Sequence, residues 1–106
     1  MNYSKLIEDI LKEQVYLNRY NYVPVEMVID RERDHYLLVQ VGWINGRRIY
    51  SSILHLDIIQ GKIYIQENNT ELYIAEKLVE LGVPKTDIVI GFHSQSQRKL
   101  TEYAVS

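Results

Sequence analysis

Apolar and polar positions alternate along this chain with two different periods. From Tyr3 to Leu17 the apolar residues Leu6, Ile7, Ile10, Leu11 and Val15 recur at a spacing of three or four, while Lys5, Glu8, Asp9, Lys12 and Glu13 fill the other side. That spacing lays one apolar stripe along a helix, with Asn2 or Ser4 placed to supply the N-cap oxygen. Asn18 to Pro24 breaks the pattern and reads as a connector. The period then drops to two. Val25, Met27 and Ile29 alternate with Glu26 and Val28 in a half-buried strand, and the charged turn Arg31-Glu32-Arg33 follows. Three further strands succeed it, over 34–43, 48–58 and 63–67.

Two dipeptides set the expected register. Asn45-Gly46 suits a type I′ hairpin, which needs positive φ at both central positions, and Gln60-Gly61 closes the next hairpin. Counting outward from Asn45-Gly46 places Trp43 opposite Arg48, Val41 opposite Tyr50, Val39 opposite Ser52, Leu37 opposite Leu54 and His35 opposite Leu56. One face then holds Leu37, Val39, Val41, Tyr50, Leu54, Leu56, Ile58, Ile63 and Ile65, which is the expected core face. The other face sets Asp34 against Asp57, Asp57 against Tyr64, Tyr36 against His55, and His55 against Gln66. Directly opposed like charges are unfavourable in a sheet, so the Asp34/Asp57 pair calls for a cation, a shared proton, a metal or solvent.

A second helix is expected after Asn69 or Thr70 as cap. It carries Leu72, Ala75, Leu78 and Val79 on one face and runs to about Leu81, with Gly82 as the C′ residue and Pro84 as a stop. The apolar run Ile88 to His93 predicts a last strand buried on both faces, which a crossover can lay parallel to another strand. The expected fold is α+β: an N-terminal helix, a four-stranded antiparallel β-meander, a second helix and a final β-strand, in a single domain over 1–106.

Composition narrows the function. The chain has 106 residues, 46% hydrophobic and 25% charged, with net charge -2 and a pI near 5.9. Duplex binding through bulk electrostatics is not expected of such a domain. There is no cysteine, so thiolate nucleophiles, disulfides and zinc–thiolate sites are excluded. The N-terminus lacks the apolar core of a signal peptide and no run approaches a membrane span, so a cytoplasmic protein is expected. No Gly-rich phosphate loop, nucleophile elbow or metalloprotease helix is present, and neither a catalytic residue nor a cofactor is assigned. The sharpest local chemistry is Asp34 with His55 and Asp57, three N/O donors on one sheet face suited to a divalent ion. It gives the alternative reading of a metal-dependent or nuclease-associated subunit. His35, by the same register, belongs to the core face. A third reading, direct nucleic-acid binding, would use Arg19 with Tyr16, Tyr20 and Tyr22, and the Arg47-Arg48 turn.

The motifs themselves carry a resemblance. ERDHYLL (32–38), VGW (41–43), HLDI (55–58), GKIYIQ (61–66), GVPKTDIVIGFH (82–93) and TEYAV (101–105) resemble, in order and spacing, the XisI family of small cyanobacterial proteins named as fdxN element excision controlling factors. The resemblance implies a non-enzymatic accessory or regulatory factor in programmed excision of a DNA element. It acts with an XisH-like protein as partner, while a separate recombinase cuts the strands. Arg33, Asp34, Tyr36, Trp43, His55, Asp57, His93 and Arg98 match the family pattern and are the expected partner-surface residues. His35 matches it too, whereas Tyr64 stands where the family often has tryptophan. A homodimer is compatible with the small core and the polar-aromatic second face.

Overall fold

The computed structural model describes residues 1–106, and its architecture follows from three turns with left-handed backbone. Asn45 and Gly46 have φ of 50° and 75°, and Gln60 and Gly61 have 51° and 77°. Both hairpins therefore close as type I′ turns, whose twist matches that of the flanking strands. The third turn lies at Arg31–Asp34. The Asp30 carboxylate accepts from the backbone N–H of Glu32 and Arg33, and Asp34 completes the reversal at φ 60°.

These turns link β1 (Val25–Asp30), β2 (His35–Ile44), β3 (Arg47–Ile59) and β4 (Lys62–Asn68). Together they form an antiparallel meander. A short strand, β5 (Ile88–Ile90), joins β4 in parallel and completes a five-stranded sheet in the order β1-β2-β3-β4-β5. Its three residues are all buried, as a strand covered on both faces requires. It ends at Ile90, three residues short of the expected His93. The backbone bridge Val89–Ala104 then lays the C-terminal segment along its outer edge.

The helix α1 (Tyr3–Leu17) is capped by Asn2, whose side chain accepts from the Lys5 N–H at 3.0 Å. The second helix, α2 (Ile74–Glu80), starts later than its cap residues suggested. Asn68 accepts from the Thr70 N–H and Thr70 from the Leu72 N–H, so side-chain turns occupy the backbone that a helix begun at Thr70 would use. At its end Gly82 has φ 101°, Gly82 N–H donates to Val79 and Val83 N–H donates to Leu78. This is a Schellman closure with the Val83/Leu78 apolar contact it usually carries. A 3-10 turn (Lys85–Asp87) leads into β5, and one turn of helix, α3 (Gln95–Arg98), follows it.

The helices α1 and α2 cover one face of the sheet. Ile7, Ile10 and Leu11 from α1 and Ile74 and Leu78 from α2 join Tyr36, Leu38, Leu54, Leu56, Ile63, Ile65, Ile88 and Ile90 in one core. Half of the expected core face is thereby corrected. β4 and the Leu54–Ile58 half of β3 contribute as expected, but β2 presents Tyr36 and Leu38 rather than His35 and Leu37. Val41 and Tyr50 are exposed on the other face. The cause is a β-bulge. Pairing is as expected from Trp43–Arg48 to Val39–Ser52, then steps past Ile53, so that Leu38 pairs with Leu54, Tyr36 with Leu56 and His35 with Asp57. One extra residue in β3 reverses which β2 side chains share the face of Leu54 and Leu56. A second irregularity, at Gln66, pairs His55 with Glu67.

Candidate functional site

The bulge at Ile53 brings His35, His55 and Asp57 together on the face that the helices leave bare. Asp57 carries the cluster. Its Oδ1 lies 2.8 Å from His35 Nδ1 and 2.8 Å from His55 Nε2, and its Oδ2 accepts from Gln66 Nε2 at 3.2 Å. The carboxylate is nearly buried, its side chain 8% exposed, beside a His35 side chain that is 49% exposed. Burial alone pushes the Asp57 carboxyl up, but the hydrogen bonds from His35 and His55, the charge of His55 and the Gln66 amide outweigh it and hold the group below the ordinary carboxylate range. The hydrogen bond to Asp57, and then its charge, raise His35 above the usual imidazole value. The two imidazoles meet edge to face, with ring centroids 6.2 Å apart.

Asp34 is absent from this cluster. As the left-handed turn residue it precedes β2, and its carboxylate accepts from the Tyr36 hydroxyl at 2.8 Å. The expected Asp34/Asp57 opposition therefore does not exist, and a histidine stands where the second carboxylate was placed. Tyr36 is likewise corrected: it is fully buried in the core. Its hydroxyl lies 2.6 Å from Ser4 Oγ on α1, so it offers no partner surface. A one-against-one register through β3 puts His35 on the core face, and the extra residue at Ile53 turns it to the other. The adjacent apolar pair Ile53-Leu54, which breaks the alternation, is the signal that marks it.

The other expected surface residues separate into distinct places. Arg33 is exposed and pairs with Asp30 at 3.2 Å. Trp43 is 63% exposed near the tip of the β2–β3 hairpin, with the Arg48 guanidinium 5.3 Å from its ring centroid. His93 packs edge to face on Phe92 and lines a mostly apolar cleft of about 260 Å³ with Ile74, Tyr73 and Tyr103. Arg98 is half-buried and its guanidinium is turned onto the backbone. It donates to the carbonyls of Ile90, His93, Val105 and Gly91 at 3.0–3.3 Å and ties the chain after β5 to the C-terminal segment. In the connector, Arg19 lies 3.8 Å from the Tyr16 ring centroid and 4.6 Å from that of Tyr20. The cation is thus already stacked within the chain.

Around the cluster the bare face is mixed, with Asp30 opposite His35, Glu26 opposite Val39 and Tyr64 opposite Asp57, and it turns apolar towards the β2–β3 hairpin. Register and strand alternation place Val28, Leu37, Val39, Val41, Trp43 and Tyr50 on it, and Val28, Val41, Trp43 and Tyr50 are exposed. A sequence model described as XisI protein matches residues 1–105. The chain belongs to the XisI family. Two solved structures agree over nearly the whole fold. A XisI-like protein from Anabaena variabilis is 38% identical with a TM-score of 0.93, over 98% of this chain and 96% of that one. The fdxN element excision controlling factor XisI from Anabaena variabilis is 39% identical with a TM-score of 0.84, again over 98% and 96%. Comparison with curated protein sequences gives no significant match. No helix of this XisI-family chain is long and apolar enough to cross a membrane.

Proposed function

We propose that this XisI-family chain is an accessory factor of DNA-element excision, or of a related system, that works in the cytoplasm without catalysis by binding a protein partner. The observation that carries this reading is the bare sheet face. Isolated surface hydrophobics are ordinary, but a contiguous set on one face marks an interaction site. Here Val41, Trp43 and Tyr50 stand together on adjacent strands of one hairpin, outside the core. The aromatic pair and the neighbouring Arg48 are residue types that dominate binding energy at interfaces. The XisI name of the Anabaena structure supports an excision-controlling role, and the family's XisH-like proteins are the partner of choice.

Co-expression with an XisH-like protein from the same genome, followed by affinity purification and native mass determination, tests the reading. A stoichiometric complex is expected. Trp43→Ala and Val41→Lys should abolish it while circular dichroism and Tm stay unchanged. A chain that emerges alone, or a complex indifferent to both substitutions, overturns the proposal.

A further inference from the structure

His35 and His55 converge on one oxygen of Asp57 from two neighbouring strands, and the three donor atoms all lie within 4.8 Å of one another. We infer that His35 Nδ1, His55 Nε2 and Asp57 Oδ1 form a binding site for one divalent transition-metal ion of the kind imidazole prefers, Zn²⁺ or its neighbours Co²⁺ and Ni²⁺. Two imidazoles and one carboxylate are the donor set for such ions, whereas Ca²⁺ and Mg²⁺ seek oxygen donors throughout.

The geometry is close to what coordination needs. Zinc bonds of about 2.0–2.1 Å at tetrahedral angles put neighbouring donors roughly 3.3 Å apart. Each imidazole nitrogen now sits 2.8 Å from Asp57 Oδ1, so binding opens these separations by about half an ångström and draws the two nitrogens towards each other. The half-exposed His35 ring has room for that movement, and Asp57 is held in the sheet. The supporting contacts are in place. Gln66 Nε2 donates to Asp57 Oδ2, orienting the carboxylate so that Oδ1 faces the imidazoles, as the partners around a metal centre commonly do. The ionised carboxylate supplies one negative charge against a divalent ion, while Asp30, across β1–β2 from His35, is already paired with Arg33. Three protein donors leave at least one coordination position for water or for a side chain from outside. The metal site does not depend on the partner reading, since it is complete within this chain.

The test uses the chain with any affinity tag removed, stripped with a chelator and titrated with Co²⁺, then with Zn²⁺ in competition. Saturation at one equivalent is expected, with visible Co²⁺ absorption bands that Zn²⁺ abolishes. His35→Gln and His55→Gln should each weaken binding at least tenfold, and Gln66→Leu about tenfold, the usual scale for a residue that orients a ligand. His35 is the most exposed of the three, so His35→Gln decides the matter even if a change at His55 or Asp57 perturbs folding. Absence of saturable uptake, or uptake undiminished by His35→Gln, overturns the site and leaves a histidine–carboxylate hydrogen-bond network in its place.

Discussion

Glu8 is a charged residue inside the boundary of the core, and its environment explains why it is tolerated. It is 6% exposed on α1, and the Arg31 guanidinium grips both of its oxygens at 2.5 and 3.0 Å, with Ser4 Oγ 3.3 Å away. The hydrogen bonds from Arg31 hold the Glu8 carboxyl below its ordinary value of 4.5, against the opposing effect of burial. A carboxyl depressed in the folded state stabilises the protein above its unfolded pKa and loses that contribution as pH falls through the folded value. The pair therefore contributes fully at neutral pH and fades below 4.5. Glu8→Gln should lower Tm at pH 7 and flatten the acid limb of the stability curve, which thermal melts across an acid series would show. An acid limb unchanged by Glu8→Gln would refute it. Tyr36 poses the complementary case. Removing its hydroxyl leaves Asp34 and Ser4 without a shared partner, so Tyr36→Phe should cost roughly 1–3 kcal/mol in denaturant melts. Because Tyr36 is buried, the surviving folded protein should still capture the XisH-like partner.

At the scale of elements, the Asp57 site depends on two irregular strands and one glycine. A Cβ on Gly91 would meet Gln66 Oε1 at 2.4 Å and the Ile65 carbonyl at 3.1 Å. The Gln66 amide can swing aside, whereas the carbonyl, which accepts from Gly91 N–H at 2.8 Å, has little room to move. Gly91→Ala should therefore lower stability by about 1 kcal/mol and displace Gln66 from Asp57. The second effect is readable as shifts in the His35 and His55 imidazole resonances, and unmoved resonances would count against the link. This dependence also shows what sequence can and cannot convey. The two hairpins were legible because Asn45-Gly46 and Gln60-Gly61 encode their backbone directly, and α1 because its stripe is regular over four turns. The bulge was not, because counting from a turn assumes one residue against one, and only the Ile53-Leu54 adjacency betrays the extra residue. That single slip moved Tyr36 from surface to core and His35 from core to surface, and replaced a carboxylate pair with a histidine–carboxylate cluster. The late start of α2 escaped for a similar reason: Asn68 and Thr70 are good caps and equally good turn formers, and composition does not choose between the two.

The two longer helices, α1 and α2, both pack on one side of the sheet, and this asymmetry makes opposite predictions for residues three apart on one strand. Leu38 is fully buried among Leu54, Leu56 and the α1 residues, while Val41, on the same β2, points to the bare face and is 39% exposed. Truncating a packed core leucine costs both its transfer free energy and the cavity left behind. Leu38→Ala should therefore destabilise the chain by about 2–5 kcal/mol. Val41→Lys adds a charge where water already reaches, so its effect should stay within about 0.5 kcal/mol. Partner capture should invert the order: Leu38→Ala, at a temperature where it remains folded, keeps the complex, and Val41→Lys loses it. Urea melts and pull-down on the same two variants separate the possibilities. If Val41→Lys instead unfolds the chain as severely as Leu38→Ala, the second face is buried in solution against a second copy of the chain. If both variants stay folded and both bind, the bare face is not the docking surface, and the search moves to the cleft of Tyr73, His93 and Tyr103.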